Sequence, residues 1–305
     1  MSMPAKTVVF LMGPTSSGKT ALAINISKHI KTRLISVDSA LIYKGMDIGT
    51  AKPDAQTLKA YPHQLINICT PEQTYSAHDF AKDARAQIIQ AFANGELPIL
   101  VGGTSFYFNA LEYGLSKLPE STAESRQKFQ QLLQEKGATA LHQDLAKIDQ
   151  KAANRIHPND SQRITRALEV FAISGKTLSE LQGNKQSALE FGIKKIVLMP
   201  PRSQLHENIK NRFNSMLENG FLAEVQALKQ NPNLHENLPA IRCVGYRQAW
   251  QYLDGKIDKQ TMIETAIIKT RQLCKRQSTW LKTETDALIL QSPDTKQALD
   301  FVQSI

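Results

Sequence analysis

Gly13-Pro14-Thr15-Ser16-Ser17-Gly18-Lys19-Thr20 lies between the apolar run at residues 8–12 and the apolar residues 21–24. This order predicts a strand, a glycine-bounded phosphate-binding loop (P-loop) and the start of a helix. Unpaired backbone N–H groups and the helix dipole favour phosphate at such a place. Lys19 adds a positive charge, and the Thr20 hydroxyl suits a magnesium ion. The stretch predicts a polyphosphate ligand without identifying the reaction; an ordinary turn that contains two glycines is the alternative.

Length and composition describe a globular chain. It has 305 residues, 41% of them hydrophobic and 21% charged, which is enough for two domains. We expect no secretory signal and no membrane-spanning segment, because no stretch approaches about 20 apolar residues. The three cysteines, Cys69, Cys243 and Cys274, are scattered, so we expect a cytoplasmic location and no zinc site.

The charge balance is basic. Lysine and arginine number 37 against 28 aspartate and glutamate residues, a net charge of +9. A surplus of this size is compatible with a polyanionic partner but does not require one. The basic residues are densest at 155–166, 194–212 and 269–282.

Two further apolar runs end in polar residues. Residues 33–37 lead into Asp38-Ser39, and residues 97–101 lead into Gly102-Gly103-Thr104. Ligands gather at the carboxyl ends of parallel strands, so both segments are predicted to lie beside the P-loop. A carboxylate there would hold a metal or take a proton, unless Asp38 is only a cap or turn former. Thr104 either faces the same crevice or caps the next helix.

The pattern predicts an α/β fold: a P-loop NTPase-like parallel sheet flanked by helices, with an inserted all-helical domain. We place the core domain at residues 1–117 and 192–305, with a basic helical region at its C-terminal end, and the insertion at 118–191. A helix over 76–94 is capped by Ser76. Within the insertion, apolar residues with helical spacing are predicted to be buried, namely Ile164, Ala167, Leu168 and Phe171.

The last third of the chain returns to the sheet and then becomes helical. Residues 193–199 predict a buried strand, and residues 287–290 an edge strand. Ser203 is predicted to cap a helix that carries Arg212, which either closes over a diphosphate or only solvates a helix surface. Residues 242–247 combine two arginines and a tyrosine around a glycine, a mixture suited to phosphate contact and base stacking. Residues 261–282 predict a long helix.

Several P-loop chemistries fit poorly. Asp47-Ile48-Gly49 lacks one residue of a GTPase switch, and the strand at 97–101 ends in Gly-Gly-Thr instead of the metal-binding acidic residue of an ATPase. A small-molecule kinase stays open as the alternative, because such enzymes combine a P-loop with arginine-rich helical lids. That alternative does not explain the basic C-terminal third.

Six ordered motifs resemble those of the bacterial tRNA dimethylallyltransferases, also called tRNA isopentenyltransferases. The segments that carry the resemblance are Gly13–Thr20 in the P-loop, Ser36-Val37-Asp38-Ser39, Asp47-Ile48-Gly49-Thr50-Ala51-Lys52-Pro53, Gly102-Gly103-Thr104, Arg242-Cys243-Val244-Gly245-Tyr246-Arg247 and Lys275-Arg276-Gln277-Ser278-Thr279-Trp280. The resemblance implies transfer of a dimethylallyl group from dimethylallyl diphosphate to N6 of adenosine 37, next to the anticodon, in tRNAs that read codons starting with U.

The resemblance also implies residue roles. Asp38 would be the general base, while Thr104 and Arg212 would act at the reaction centre. The P-loop residues Gly13, Pro14, Thr15, Ser16, Ser17, Gly18, Lys19 and Thr20 would bind the diphosphate, with Mg²⁺ on Thr20. The partners would be dimethylallyl diphosphate and a tRNA anticodon stem-loop, with neither a membrane nor a protein partner, and the chain is expected to be a monomer.

The residues implied to face tRNA lie in both domains. They are Asp38, Ser39, Ala40, Leu41, Thr104, Arg126, Gln162, Arg163, Ile164, Thr165, Arg166, Arg242, Cys243, Val244, Gly245, Tyr246, Arg247, Lys275, Arg276, Gln277, Ser278, Thr279, Trp280, Leu281 and Lys282. Two positions depart from the family pattern: Leu41 stands where many members carry glutamine, and Cys274 where alanine is common. A side-chain hydrogen bond from position 41 is therefore not expected.

Overall fold

The strands form the centre of the molecule. A computed structural model describes residues 6–183, 185–186 and 189–304. Its strands are β1 (Thr7–Met12), β2 (Thr32–Val37), β3 (His63–Gln64), β4 (Leu97–Gly102), β5 (Leu115–Ser116), β6 (Lys185–Gln186), β7 (Gly192–Leu198) and β8 (Leu288–Leu290). Within these residues, a six-stranded parallel sheet has the order β3-β2-β4-β1-β7-β8.

Helices follow most strands. They are α1 (Lys19–Ser27), α2 (Ala55–Ala60), α3 (Ala77–Ala93), α4 (Ser105–Tyr113), α5 (Ala123–Ile148), α6 (Gln150–Arg155), α7 (Ser161–Ser174), α8 (Leu178–Leu181), α9 (Arg202–Glu218), α10 (Phe221–Lys229), α11 (Tyr246–Leu253), α12 (Lys259–Leu281) and α13 (Thr295–Gln303). Gly137 interrupts α5 with a positive φ of 77°. No helix in the described part of the chain is long and apolar enough to cross a membrane.

Continuous apolar runs explain the central strands. Residues 8–12 of β1 are fully buried, and β1 pairs with β4 on one side and with β7 on the other. A strand that is covered on both faces needs apolar side chains at every position, not only at alternate ones. The predicted α/β class, with a parallel sheet flanked by helices, is confirmed.

The described chain divides into two compact units. Unit 1 comprises Met1–Leu111 and Leu189–Ile305, and unit 2 comprises Glu112–Ala188. One core of unit 1 lies on the sheet and includes Val9, Leu22 and Ile99, while another surrounds Phe221 and Tyr246. Unit 2 has its own core, which includes Ile164, Ala167 and Leu168.

Some local predictions are correct. Ser76 accepts a hydrogen bond from Asp79 N, and the Asp79 carboxylate accepts from Ser76 N, so α3 begins with the capping box that its sequence indicates. The helix ends at Asn94, as predicted. Phe171 is only half-buried, and Val170 is the fully buried neighbour on α7.

Other local predictions are wrong. Helix α9 begins at Arg202 after Pro201, and Ser203 makes no cap. Its side chain lies exposed in the first turn. Unit 2 is not all-helical, because β5 and β6 form an antiparallel pair. Two-residue strands such as these and β3 carry no periodic pattern, which is why the sequence did not indicate them.

Candidate active site

Three loops meet at the carboxyl edge of the sheet, where β1, β2 and β4 end. Gly13 N donates to Gly102 O over 3.3 Å, and Thr104 N donates to Val37 O over 3.3 Å. The Thr104 hydroxyl accepts a hydrogen bond from Ser39 N over 3.2 Å. The P-loop, the Asp38 segment and the Gly-Gly-Thr segment are therefore neighbours, as the strand ends predicted.

Gly102 permits this close approach. A Cβ atom at position 102 would lie 2.0 Å from the Val37 carbonyl oxygen, and that neighbour is backbone that cannot turn aside. Any side chain here would push β2 and β4 apart at their carboxyl ends. The glycine therefore sets how near Thr104 lies to Asp38.

The P-loop contains polar groups without protein partners. The Ser16 and Ser17 hydroxyls are buried and have no hydrogen-bond partner among the described residues. A buried polar atom without a partner costs free energy, which an oxygen-rich ligand would recover. Ser16 also has a positive φ of 64°, a conformation uncommon outside glycine. Both observations fit a loop shaped for an anionic ligand.

Two cations point at the same loop. Lys19 Nζ donates to Pro14 O over 3.2 Å, and Arg212 Nη2 donates to Thr15 Oγ1 over 2.6 Å. Burial lowers the pKa of Lys19 to about 8, an effect that Asp38 opposes and Arg212 reinforces. Burial likewise lowers the pKa of Arg212, again opposed by Asp38. Neither cation forms an ion pair with a carboxylate in the described part of the chain, so the loop carries uncompensated positive charge.

Helices α9 and α12 hold the loop in place. Asn208 Nδ2 donates to Ser16 O over 3.1 Å, one helical turn before Arg212. Gln277 Oε1 accepts from Thr15 N over 2.8 Å, and Gln277 Nε2 donates to Gly103 O over 2.9 Å. Gln277 thus ties the P-loop to the Gly-Gly-Thr segment. No motif in the sequence indicated Asn208, although its spacing of four residues from Arg212 places both on one helix face.

The Asp38 carboxylate is oriented by the main chain that follows it. Its Oδ1 accepts from Ala40 N over 2.8 Å and from Leu41 N over 3.4 Å. The other oxygen, Oδ2, accepts no hydrogen bond from the residues that the structure describes. One carboxylate oxygen therefore fixes the group, and the other is available to accept a proton from a ligand.

The five cations implied to face tRNA in unit 1 are all exposed. On α12 these are Lys275 and Arg276, with Lys282 just beyond the helix; Arg242 and Arg247 lie before and within α11. None of the five pairs with a described carboxylate. Ser39 and Thr279 are also exposed, and Ala40, Leu41, Val244 and Ser278 are half-buried. These side chains form the basic surface of unit 1.

Some residues of the implied RNA set lie inside the protein instead. Tyr246 is fully buried and donates to Glu224, so its ring is not presented to a base as the sequence suggested. Leu281 and Ile164 are core residues with 0% exposure, and Gly245 is buried. Gln277 faces the P-loop. The other four positions are therefore not exposed for contact with RNA in this structure.

Two more members of the set are half-buried against the protein. Trp280 stacks on Phe108 with ring centroids 6.0 Å apart. The Cys243 thiol contacts Pro239 O at 3.6 Å, and burial raises its pKa to about 12. A thiol with so high a pKa stays protonated and unreactive near neutral pH.

In unit 2, the implied RNA residues differ in availability. Arg126, Gln162 and Arg163 are exposed. Arg166 instead donates to Glu169 Oε2 over 2.7 Å and to Pro119 O over 2.7 Å. Glu169 is buried, so Arg166 serves as its counter-ion within the unit. The Thr165 hydroxyl donates to Ser161 O over 2.8 Å.

The Asp47–Gly49 segment of the third motif forms an anion nest for a protein carboxylate. Glu224 accepts three successive backbone hydrogen bonds, from Asp47 N over 2.8 Å, Ile48 N over 2.7 Å and Gly49 N over 3.1 Å, and a fourth from the Tyr246 hydroxyl over 2.5 Å. A Cβ atom at Gly49 would lie 2.2 Å from the Phe221 ring. The sequence showed the motif, but not its partner, which lies more than 170 residues away.

Comparison with known proteins identifies relatives over almost the whole chain. Residues 41–284 match the family model described as IPP transferase. The tRNA dimethylallyltransferase of Ruthia magnifica is 72% identical over 299 residues, which cover 98% of each chain. Its counterpart in Vesicomyosocius okutanii is 68% identical with the same coverage.

Solved structures are similar over almost the whole chain. The tRNA isopentenylpyrophosphate transferase of Bacillus halodurans has a TM-score of 0.72 and 31% identity, covering 99% of this chain and 96% of its own. A eukaryotic dimethylallyltransferase described as acting on tRNA has a TM-score of 0.81 and 25% identity, covering 98% of this chain and 80% of its own. With its P-loop, its sheet and these relatives, the chain belongs to the IPP transferase family.

Proposed function

We propose that this chain transfers the dimethylallyl group of dimethylallyl diphosphate to N6 of adenosine 37, beside the anticodon, in tRNAs that read codons starting with U. The observation that carries the proposal is a pair of cations without an ion-pair partner in the described chain, Lys19 in the P-loop and Arg212 on α9, that lie beside Asp38. The cations suit a diphosphate, and the carboxylate suits a proton acceptor. Family membership supplies the class of reaction.

The P-loop acts on the leaving group. When the bond between the allylic C1 and the diphosphate oxygen breaks, its electron pair stays on the diphosphate, whose negative charge increases. Lys19, Arg212 and the loop amides stabilise that charge where it develops, with the Ser16 and Ser17 hydroxyls as further donors. The diphosphate departs intact, so the loop acts here without hydrolysing a nucleotide.

Asp38 and Thr104 serve the nucleophile side. Adenine N6 is a weak nucleophile because its lone pair is delocalised into the ring. As N6 bonds to C1, it loses one proton, which Asp38 accepts on the oxygen that the main chain leaves available. The Thr104 hydroxyl, already hydrogen-bonded to Ser39 N, orients the bridging oxygen of the diphosphate.

A magnesium ion fits the donor set of the loop. Mg²⁺ is usually held by one or two protein oxygens and by substrate phosphates, and it keeps several waters. Among the described residues no group of three or more potential metal ligands of the His, Cys, Asp or Glu type occurs. Thr20, at the start of α1, would supply a protein oxygen, and the diphosphate would supply others. When bound, the ion neutralises charge on the leaving group.

The RNA side of the proposal rests on exposure and charge. An adenine stacked in an anticodon loop cannot reach Asp38, so the base must leave its stack. The basic surface of unit 1 would hold the RNA backbone while the base enters.

We infer that the chain acts as a monomer and needs no protein partner. Sedimentation of the active protein tests this inference.

Labelled substrate provides the direct experiment. The purified chain is incubated with dimethylallyl diphosphate labelled in the prenyl group, Mg²⁺ and an unmodified tRNA substrate. We expect label in a single nucleoside, N6-dimethylallyladenosine, and none in a matched tRNA that carries guanosine at position 37. Transfer of a phosphate from ATP to a small molecule, without label in RNA, would instead establish the kinase alternative.

Asp38→Ala tests the base in the same assay. General bases contribute about 10²–10⁴-fold to turnover, so we expect a loss of that size in single-turnover rate. The affinity for inorganic diphosphate should change far less, because Asp38 donates no hydrogen bond to it. A variant with near-normal turnover would remove Asp38 from this role.

A further inference from the structure

Three basic residues gather between α9 and α12, outside the P-loop. Arg202 Nε donates to His206 Nε2 over 3.4 Å, and Arg271 Nη2 donates to His206 O over 3.5 Å. We call Arg202, His206 and Arg271 the outer cation cluster. Burial, Arg271 and Arg202 together lower the pKa of His206, so its imidazole is neutral near pH 7 and can accept the Arg202 hydrogen bond.

The surroundings of Arg271 leave most of its hydrogen-bond donors without a partner in the described part of the protein. Its Nε is buried and has no hydrogen-bond partner among the described residues. A guanidinium carries five N–H donors, and the structure gives Arg271 one long hydrogen bond. Solvation accounts for an exposed arginine such as Arg202, but it does not account for a buried donor. The other N–H groups of this half-buried guanidinium are therefore available to an acceptor from outside the protein.

The charges around Arg271 indicate that such an acceptor would be negatively charged. None of the three residues forms an ion pair with a carboxylate in the described ranges. The cluster also lies near the reaction centre. Cys274, one turn after Arg271, packs with Leu205 and Ile209 of α9. The same helix carries Arg212, which contacts the P-loop. Positive charge thus continues from the P-loop to the outer cluster.

We propose that the outer cation cluster is a second phosphate-binding subsite, separate from the P-loop. Two guanidinium groups match phosphate oxygens in pairs, and the neutral imidazole keeps Arg202 in place. The phosphate belongs either to the diphosphate on its way to or from the P-loop or to the RNA backbone. The proposed function bears only on this choice of source, because phosphate binding itself is measured without turnover.

The experiment compares Arg202→Gln, Arg271→Gln and the double variant with Lys210→Gln, which removes an exposed cation from the same helix α9. Two titrations are made on each full-length protein, one with inorganic diphosphate and Mg²⁺ and one with an anticodon stem-loop RNA at several salt concentrations. Arg202 is exposed, so its variant reports on the cluster even if Arg271→Gln fails to fold.

We expect the double variant to bind one of the two ligands about tenfold more weakly, while Lys210→Gln binds both as the parent does. Weaker diphosphate binding with an unchanged salt slope for RNA assigns the subsite to the diphosphate. Weaker RNA binding with a salt slope reduced by about one assigns it to a backbone phosphate. Unchanged binding of both ligands in Arg202→Gln and in every folded Arg271 variant overturns the proposal, even if prenyl transfer by the parent is established.

Discussion

At the scale of single residues, Lys19 departs most clearly from the ordinary behaviour of its type. Lysine in water stays mostly protonated up to about pH 10, but burial lowers the pKa of Lys19 to about 8. Bound diphosphate favours the protonated form. Affinity for diphosphate should therefore fall as the pH rises through 8, by up to about tenfold per pH unit beyond it.

This prediction is checked by calorimetry of diphosphate binding at pH 8.5 in buffers of different ionisation enthalpy. The parent protein should take up more protons on binding than Lys19→Met does, because the variant removes the one titrating amine in the loop while the protons of diphosphate itself remain in both. Equal proton uptake by the two proteins would contradict a lowered pKa for Lys19.

Single residues also show what the sequence revealed of the site. The positions of Lys19, Asp38 and Thr104 followed from strand ends and loop spacing, because local patterns determine where a chain leaves a sheet. The burial of Tyr246 did not, since its partner Glu224 is distant in sequence. Whether an aromatic side chain stacks on a ligand or fills a core depends on tertiary neighbours.

At the scale of elements, α12 has two faces with different tasks. Gln277 points at the P-loop, while Lys275, two residues earlier and about 200° away around the helix, is exposed. Both residues belong to the set that the family resemblance implies to face tRNA. Residues two apart on a helix do not share a face, so only one of the two can point at the P-loop. The structure shows that it is Gln277.

Gln277→Glu and Lys275→Ala should therefore affect different substrates. The glutamate keeps the acceptor for Thr15 N, loses the donor to Gly103 O and adds negative charge beside the diphosphate, so we expect the KM for dimethylallyl diphosphate to rise about tenfold with little change in tRNA affinity. Lys275→Ala should weaken tRNA binding and reduce its salt slope by about one. Steady-state kinetics with each substrate varied, together with salt titrations, measure both; the same effect in both variants would contradict the division of faces.

The contact between α10 and the Asp47–Gly49 segment gives a second prediction at this scale. Glu224→Gln removes a charge that accepts four hydrogen bonds and leaves an amide that cannot accept them as well. We expect the free energy of unfolding to fall by about 2 kcal/mol, measured by urea denaturation. Glu218→Gln, on an exposed site at the end of α9, is the control and should change it by less than about 0.5 kcal/mol.

At the scale of the whole molecule, the sheet is tied to the end of α12 through a buried ion pair. Lys195 on β7 lies 2.8 Å from Glu284, and their side chains are 4% and 6% exposed. A buried ion pair is expensive to break on one side only, because the remaining charge stays desolvated. The apolar pattern predicted β7 as a buried strand, but it gave no sign that a lysine within it would find a carboxylate 89 residues later.

Lys195→Met should reduce the free energy of unfolding by about 3–5 kcal/mol. The double variant Lys195→Met/Glu284→Leu should recover most of that loss, because it removes both charges. Urea unfolding of the parent, the two single variants and the double variant forms a complete cycle. Additive losses in the double variant would show that the pair is not coupled.

Because α12 has two different faces, the chain should tolerate substitutions in this helix better than insertions or deletions. Each residue added to or deleted from a helix turns everything beyond it by about 100°. An insertion of one residue between Asp258 and Cys274 would carry Gln277 away from Thr15 and Gly103 and put the charged Arg276 in its place beside the P-loop. A substitution on α12 alters one position, whereas a change in the length of the helix would displace both the face that contacts the P-loop and the exposed basic face.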